Sequence, residues 1–121
     1  MKVKIYKVDE PILAEASGML FWRKIRVGKR YFNLPEYQQK AVLVHEFGHH
    51  HYWHIEKKLL ALIFCPFLFY NISKKQELQA DKFAAERGEA RGLYDMFKDD
   101  WHGGKMHPSH AERRKQLEKY V

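Results

Sequence analysis

The chain opens on an alternating pattern. In residues 2–8 (KVKIYKV), Val3, Ile5 and Lys7 fall on one face and Lys2, Lys4 and Tyr6 on the other, the period-two signature of a strand. Asp9-Glu10-Pro11 breaks it, and residues 12–20 carry no clear period. Residues 21–27 (FWRKIRV) read as a second strand, Gly28-Lys29 as a turn, and Arg30–Asn33 as a third short strand. The period then lengthens. Asn33-Leu34-Pro35-Glu36 offers a capping residue, a proline suited to a first helical turn, and a carboxylate at the positive end of the helix dipole. A helix is predicted from Pro35 to about Trp53, with Ala41, Leu43, Val44 and Phe47 as its apolar positions. Residues 55–72 form a hydrophobic run, predicted helical and interrupted at Pro66. Ser73 reads as the cap of a further helix to about Arg87, burying Leu78, Phe83 and Ala84/Ala85. Gly88 and Gly92 loosen its end, and Tyr94–Trp101 reads as a short helix. Gly103-Gly104 reads as a flexible joint, and Pro108 opens a charged last helix, Ser109–Tyr120.

These elements predict an α+β fold in one domain, a small three-stranded sheet packed on a long helix and further helices. The strands occupy mainly residues 1–34, the long helix 35–54, the next 73–90, and a C-terminal helix or tail 105–121. With 121 residues and 45% hydrophobic content, the chain suffices for one core and not for two. A single cysteine, Cys65, rules out an intramolecular disulfide and a cysteine-based zinc finger; in its apolar run it reads as a buried small hydrophobe.

The net charge of +7 (22 Lys+Arg, 15 Asp+Glu) suits nucleic acid, an anionic membrane or an acidic partner without choosing among them. Arg113, Arg114, Lys115 and Lys119 give the last helix a basic surface, but Glu112 and Glu118 dilute it, so no specific nucleic acid is expected. The N-terminus lacks the apolar stretch of a signal peptide. The most hydrophobic stretch, Leu59–Tyr70, would span roughly 18 Å as a helix against a hydrocarbon core of roughly 30 Å. It is read as buried core, with a membrane-touching or substrate-lining patch over 59–70 as the alternative. A soluble, cytoplasmic protein is expected.

Eight histidines in 121 residues change the picture. His45-Glu46-Phe47-Gly48-His49 is an HExxH sequence on the predicted long helix. Residues four apart share a helix face, so both imidazoles reach one metal ion, and Glu46 sits beside them as a general base for water. A catalytic zinc site needs a third protein ligand and leaves its fourth position to water. Glu77 and Asp81, again four apart and on the next helix, supply it: Glu77 as ligand, Asp81 as acceptor for the second nitrogen of a ligand imidazole. His50 and His54 point roughly 140° or more away from the His45/His49 face on a continuous helix, and read as surface or packing residues.

HEFGH, ELQADKFAA and HPSHAERRKQL, in this order, resemble the gluzincin zinc metallopeptidases, above all the HtpX-like and CaaX-prenyl-processing group. Without that group's transmembrane segments, the chain looks most like its short soluble form, the minigluzincins. The resemblance spans roughly residues 23–118. It implies a minimal zincin fold holding zinc (Zn2+) on His45, His49 and Glu77, with Glu46 as general base and acid and Asp81 orienting His45. It further implies that His107 helps stabilise the oxyanion, that Arg113 anchors the last helix, and that the C-terminal segment confers latency or self-association. The expected partner is a peptide or protein substrate, added as a strand to a sheet edge drawn from Ile25–Asn33. HEFGHH and ELQADKFAA also resemble the ImmA/IrrE-like metallopeptidases, which act on DNA-binding regulators, although Glu86-Arg87-Gly88 replaces the usual sequence after that second motif. From a different class, a non-catalytic zinc-stabilised binding module would share these ligands and take a fourth from His102, His107 or His110.

Overall fold

The computed structural model describes residues 1–121. It is an α+β structure with one three-stranded mixed sheet laid against helices. β1 (Lys4–Lys7), β2 (Ala14–Ser17) and β3 (Lys24–Val27) pair in the order β1-β3-β2, with β3 central, parallel to β1 and antiparallel to β2. The strand count is as expected, but the third strand is 14–17 and not 30–33. Residues 30–33 belong to a helical turn, α1 (Lys29–Phe32). The chain bends at Gly28, where the amides of Gly28, Lys29 and Arg30 donate to the carbonyls of Leu13, Glu10 and Ile12. Gly28 has no room for a side chain: a Cβ there would lie 2.3 Å from the Ile12 carbonyl oxygen. The bend drops Tyr31 into the core beside Ile25, Val27 and Val42.

α2 (Glu36–His51) runs beneath the sheet. Pro35, extended, occupies its cap position, so the expected Asn33 cap is displaced by α1. α2 stops at His51, and Trp53, in the left-handed region at φ 58°, turns the chain into α3 (His54–Phe64). A short 3₁₀ turn at Pro66–Leu68 interrupts the hydrophobic run where the proline predicted a break.

The burial expected of this run is not found. Only Ala61 of residues 59–70 is buried, and Leu60, Ile63, Phe64 and Phe67 face solvent. α3 lies in the outer layer and commits only the His54/Ala61 side to the body, so local hydrophobicity was no guide to burial here. Cys65, at its end, is only half-buried. No helix is long and apolar enough to cross a membrane.

α4 (Phe69–Ala84) begins four residues before the expected cap. Ser73 is buried inside it, and its hydroxyl donates to the Met106 carbonyl at 3.0 Å instead of capping. A wide turn at Ala85–Glu89, with Gly88 at φ 86°, leads into α5 (Ala90–Met96), which starts earlier than expected because the chain resumes helix directly after the turn. α6 (His110–Leu117) follows Pro108 as expected, with Ser109 as its cap: the Ser109 hydroxyl accepts from the Glu112 amide at 3.1 Å. Leu117 enters the second core with Ala41, Ala84, Leu93 and Phe97.

Candidate metal centre

Two close approaches set the site. Gly48 of α2 meets the Phe83 ring of α4 so tightly that a Cβ would lie 3.0–3.2 Å from ring and Cβ atoms. A small residue at this crossing lets the helices approach until one turn of each faces the other. The helical spacing then aims His45 and His49 from α2, and Glu77 and Asp81 from α4, into the gap.

Three ligand atoms converge there. Glu77 Oε2 lies 2.7 Å from His49 Nε2 and 3.2 Å from His45 Nε2, and the two imidazole Nε2 atoms are 3.2 Å apart. His45 and His49 are buried. Each ring's other nitrogen faces a polar neighbour. Asp81 Oδ1 lies 2.7 Å from His45 Nδ1. His54 Nδ1 lies 2.8 Å from His49 Nδ1, and His54 Nε2 donates to Gln79 Oε1 at 2.7 Å. Burial pushes the His54 imidazole down to about 4, against the pull of Gln79, so it is neutral and its Nδ1 accepts from His49. His49 therefore keeps its proton on Nδ1 and turns its Nε2 lone pair on Glu77, and His45 turns its Nε2 to the same carboxylate oxygen.

Three acceptors packed this closely require a positive charge between them. In the metal-free chain it is a proton: burial alone would lower the His45 pKa, but Asp81 and Glu77 overcome it and raise it to about 10. Burial likewise opposes ionisation of Glu77, yet His107, His45 and His49 hold its carboxyl well below the usual range. A divalent cation fits the same place. Two imidazoles and one carboxylate are the donor set of many catalytic zinc sites, and tetrahedral zinc ligands stand about 3.3 Å apart. These three residues form the one such group in the chain.

Glu46 stands beside the convergence. Its Oε2 accepts the Ala16 amide of β2 at 2.8 Å, and its Oε1 is 3.9 Å from His45 Nε2. Burial raises its pKa, more than His45 and His49 lower it. Arg113 forms two hydrogen bonds to Asp81, Nε to Oδ2 at 2.7 Å and Nη2 to Oδ1 at 2.8 Å, and so ties α6 to the acid facing His45. His107 Nδ1 sits 3.1 Å from Glu77 Oε1, on the side of the carboxylate away from the imidazoles.

The structure thus gathers His45, Glu46, His49, Glu77, Asp81, His107 and Arg113 in one place. His54 and Gln79 are members that the sequence reading missed. His50 is fully buried as a packing residue, its Nε2 donating to the Lys24 carbonyl at 2.7 Å and its Nδ1 accepting from Arg23 at 3.1 Å. His110 pairs with Asp99, outside the cluster.

A cavity of about 450 Å³ opens onto Glu46, His49 and Glu77, with Ala14, Ile55 and His107 among its walls. The edge strand above it is β2. The expected source, Ile25–Asn33, does not provide that edge: β3 is flanked on both sides, and residues beyond it turn into α1. Of the segment 105–121, Met106 and His107 reach the cavity, while Arg113 and Leu117 are buried in the body. Arg114 donates to the carbonyls of Phe97 and Asp99, so two of the four cations assigned to a basic helix surface are engaged internally.

The chain matches no protein-family model, no curated protein and no solved structure.

Proposed function

We propose that this protein is a zinc-dependent metalloendopeptidase of the gluzincin type. One observation carries the reading: His45, His49 and Glu77 aim ligand atoms at one point, with Glu46 beside them. These three residues would hold the ion. Zinc bound there would polarise a peptide carbonyl and lower the pKa of a water to about 7.

The chain's own groups do the rest. The Ala16 amide fixes one oxygen of Glu46, leaving Oε1 to take the proton of the attacking water and return it to the departing amine. His54 and Asp81 hold the two imidazoles in the ligating tautomer. A substrate strand would lie along β2, where Ala14 faces the same way as Ala16 by strand alternation. His107 lines the same cavity and would donate to the substrate carbonyl as charge develops on it.

A non-catalytic module is less well supported. It has no use for an acid at position 46, and two of its three candidate fourth ligands, His107 and His110, stand against Glu77 and Asp99. An ImmA/IrrE-like role uses the same residues on a regulator protein and differs only in substrate. Met106 and His107 are placed to restrict the cleft, and exchange of residues 105–121 between two copies would keep the α6 contacts while producing self-association. We place the activity in the cytoplasm, in keeping with a lone unpaired Cys65.

The test is metal analysis of the purified chain together with peptide cleavage by Glu46→Gln. One zinc per chain in both proteins, with cleavage lost only in the variant, supports the reading. Continued cleavage by Glu46→Gln, or zinc bound without any cleavage by the parent across a varied peptide library, overturns it.

A further inference from the structure

Away from the metal centre, one face carries apolar side chains that the fold does not use. The loop between β2 and β3 presents Phe21, 92% exposed, and Trp22, 74% exposed. Two contacts fix this loop to the start of α3: the Leu20 amide donates to Glu56 Oε2 at 2.9 Å, and Arg23 pairs with the same oxygen at 2.6 Å. Leu60 and Ile63 follow Glu56 at four and seven residues, so they continue the same helix face, and Phe64 lies one turn beyond Leu60. Phe64 is 74% exposed, and Phe67 after it 79%. The result is one apolar ridge from the loop along α3.

The ridge is held in place at a cost. Leu20 and Trp53 are the only non-glycine residues with positive φ, at 57° and 58°, and both lie where the loop meets α3. Arg23 covers the Trp53 ring at 4.7 Å, its charge neutralised by Glu56. The strained turns therefore belong to a rigid mount for exposed aromatic groups.

Cations gather beside the ridge. Lys2, Lys4 and Lys24 line a concavity of about 220 Å³ with Tyr6, Phe21 and Trp22. Lys4 and Lys24 are direct partners in the β1–β3 ladder, a like-charge pairing that is unfavourable unless an anion approaches it. The neighbouring acids are already engaged: Glu56 by Arg23, and Glu10 and Glu15 by Arg26 on the sheet face that carries Lys4 and Lys24.

We propose that this face docks the protein on an anionic lipid surface. Phe21, Trp22 and the outer side of α3 enter the interface, and Lys2, Lys4 and Lys24 receive lipid phosphates. The combination is that of a peripheral anchor: projecting aromatic and aliphatic groups beside unpaired lysines, on an element too short to span. A projecting ridge suits a deformable interface better than a rigid protein partner, which would need a matching groove. The inference goes beyond the peptidase reading and stands independently of it.

The test uses the full chain and vesicles of phosphatidylcholine alone or with about one third phosphatidylglycerol. Co-sedimentation with the anionic vesicles, a blue shift of tryptophan fluorescence and release by salt are expected. Phe21→Ala/Trp22→Ala should abolish the shift and most of the binding. Lys2→Gln, Lys4→Gln and Lys24→Gln should each weaken binding to anionic vesicles roughly fivefold, with no effect on metal content. These side chains are exposed or half-buried, so thermal unfolding should stay at the parent's temperature. Equal partition to both vesicle types, or no partition to either, overturns the proposal. So does a parent dimer that Phe21→Ala/Trp22→Ala dissolves, which would assign the ridge to a second copy of this chain.

Discussion

His54 Nδ1 lies 2.8 Å from His49 Nδ1, across the corner between α2 and α3. One imidazole thereby sets the tautomer of another, and Gln79 sets the first by accepting from its Nε2 at 2.7 Å. The relation explains how His49 offers a lone pair to the metal centre with no carboxylate behind it, in contrast to His45, which has Asp81.

Removal of that support should be visible in metal binding. His54→Phe, which keeps the ring volume and loses the acceptor, is expected to weaken zinc affinity about 10- to 100-fold. His51→Ala, exposed and outside the cluster, should leave affinity unchanged. Competition against a chromogenic chelator measures both.

Arg113 forms two hydrogen bonds to a fully buried Asp81. Arg113→Ala strands that carboxylate and is expected to cost about 3–5 kcal/mol. Urea unfolding of the parent and variant would read the loss as a lower midpoint. The double variant Arg113→Ala/Asp81→Ala should recover part of it, since the stranded charge is gone.

Gly92 tests the packing that supports α2. A Cβ there would stand 2.6 Å from the Ala41 Cβ and 2.8 Å from the Tyr37 carbonyl oxygen. Gly92→Ala gains helix propensity worth up to about 1 kcal/mol, but overpacking costs about 1–3 kcal/mol. Net destabilisation is expected in thermal unfolding, with α5 displaced from α2.

Metal removal should leave a chain with its own pH dependence. In the metal-free protein the His45 pKa is raised to about 10 against an ordinary 6.5. The stabilisation this gives is complete below pH 6.5 and fades as pH rises toward 10. Zinc added at neutral pH must displace that proton. Calorimetric titrations in buffers of different ionisation enthalpy should therefore record proton release on binding, absent in His45→Ala. With zinc bound, stability should no longer decline over that alkaline range.

Much of the site was legible in the chain because it is periodic. His45 with His49, and Glu77 with Asp81, are pairs four apart, and a helix of any tertiary context puts such pairs on one face. Sequence order also sufficed for the break at Pro66 and the charged helix after Pro108. His54 was not legible. On an unbroken helix it points away from His49, and only the left-handed turn at Trp53 brings it back. β2 was equally hidden, since AEAS has little pattern of its own and becomes a strand by pairing with β3.

The sequence by itself determined which residues share a helix face, that the chain breaks at Pro66, and which chemistry two imidazoles beside two carboxylates can perform. Only the tertiary structure decided that Gly48 meets Phe83, so that the two faces close on one point, that β2 and not Ile25–Asn33 forms the edge above it, and that the most hydrophobic run stays outside. The division has one physical cause. Helical spacing is a property of adjacent backbone torsions, whereas burial, edges and helix crossings depend on residues far apart in the chain.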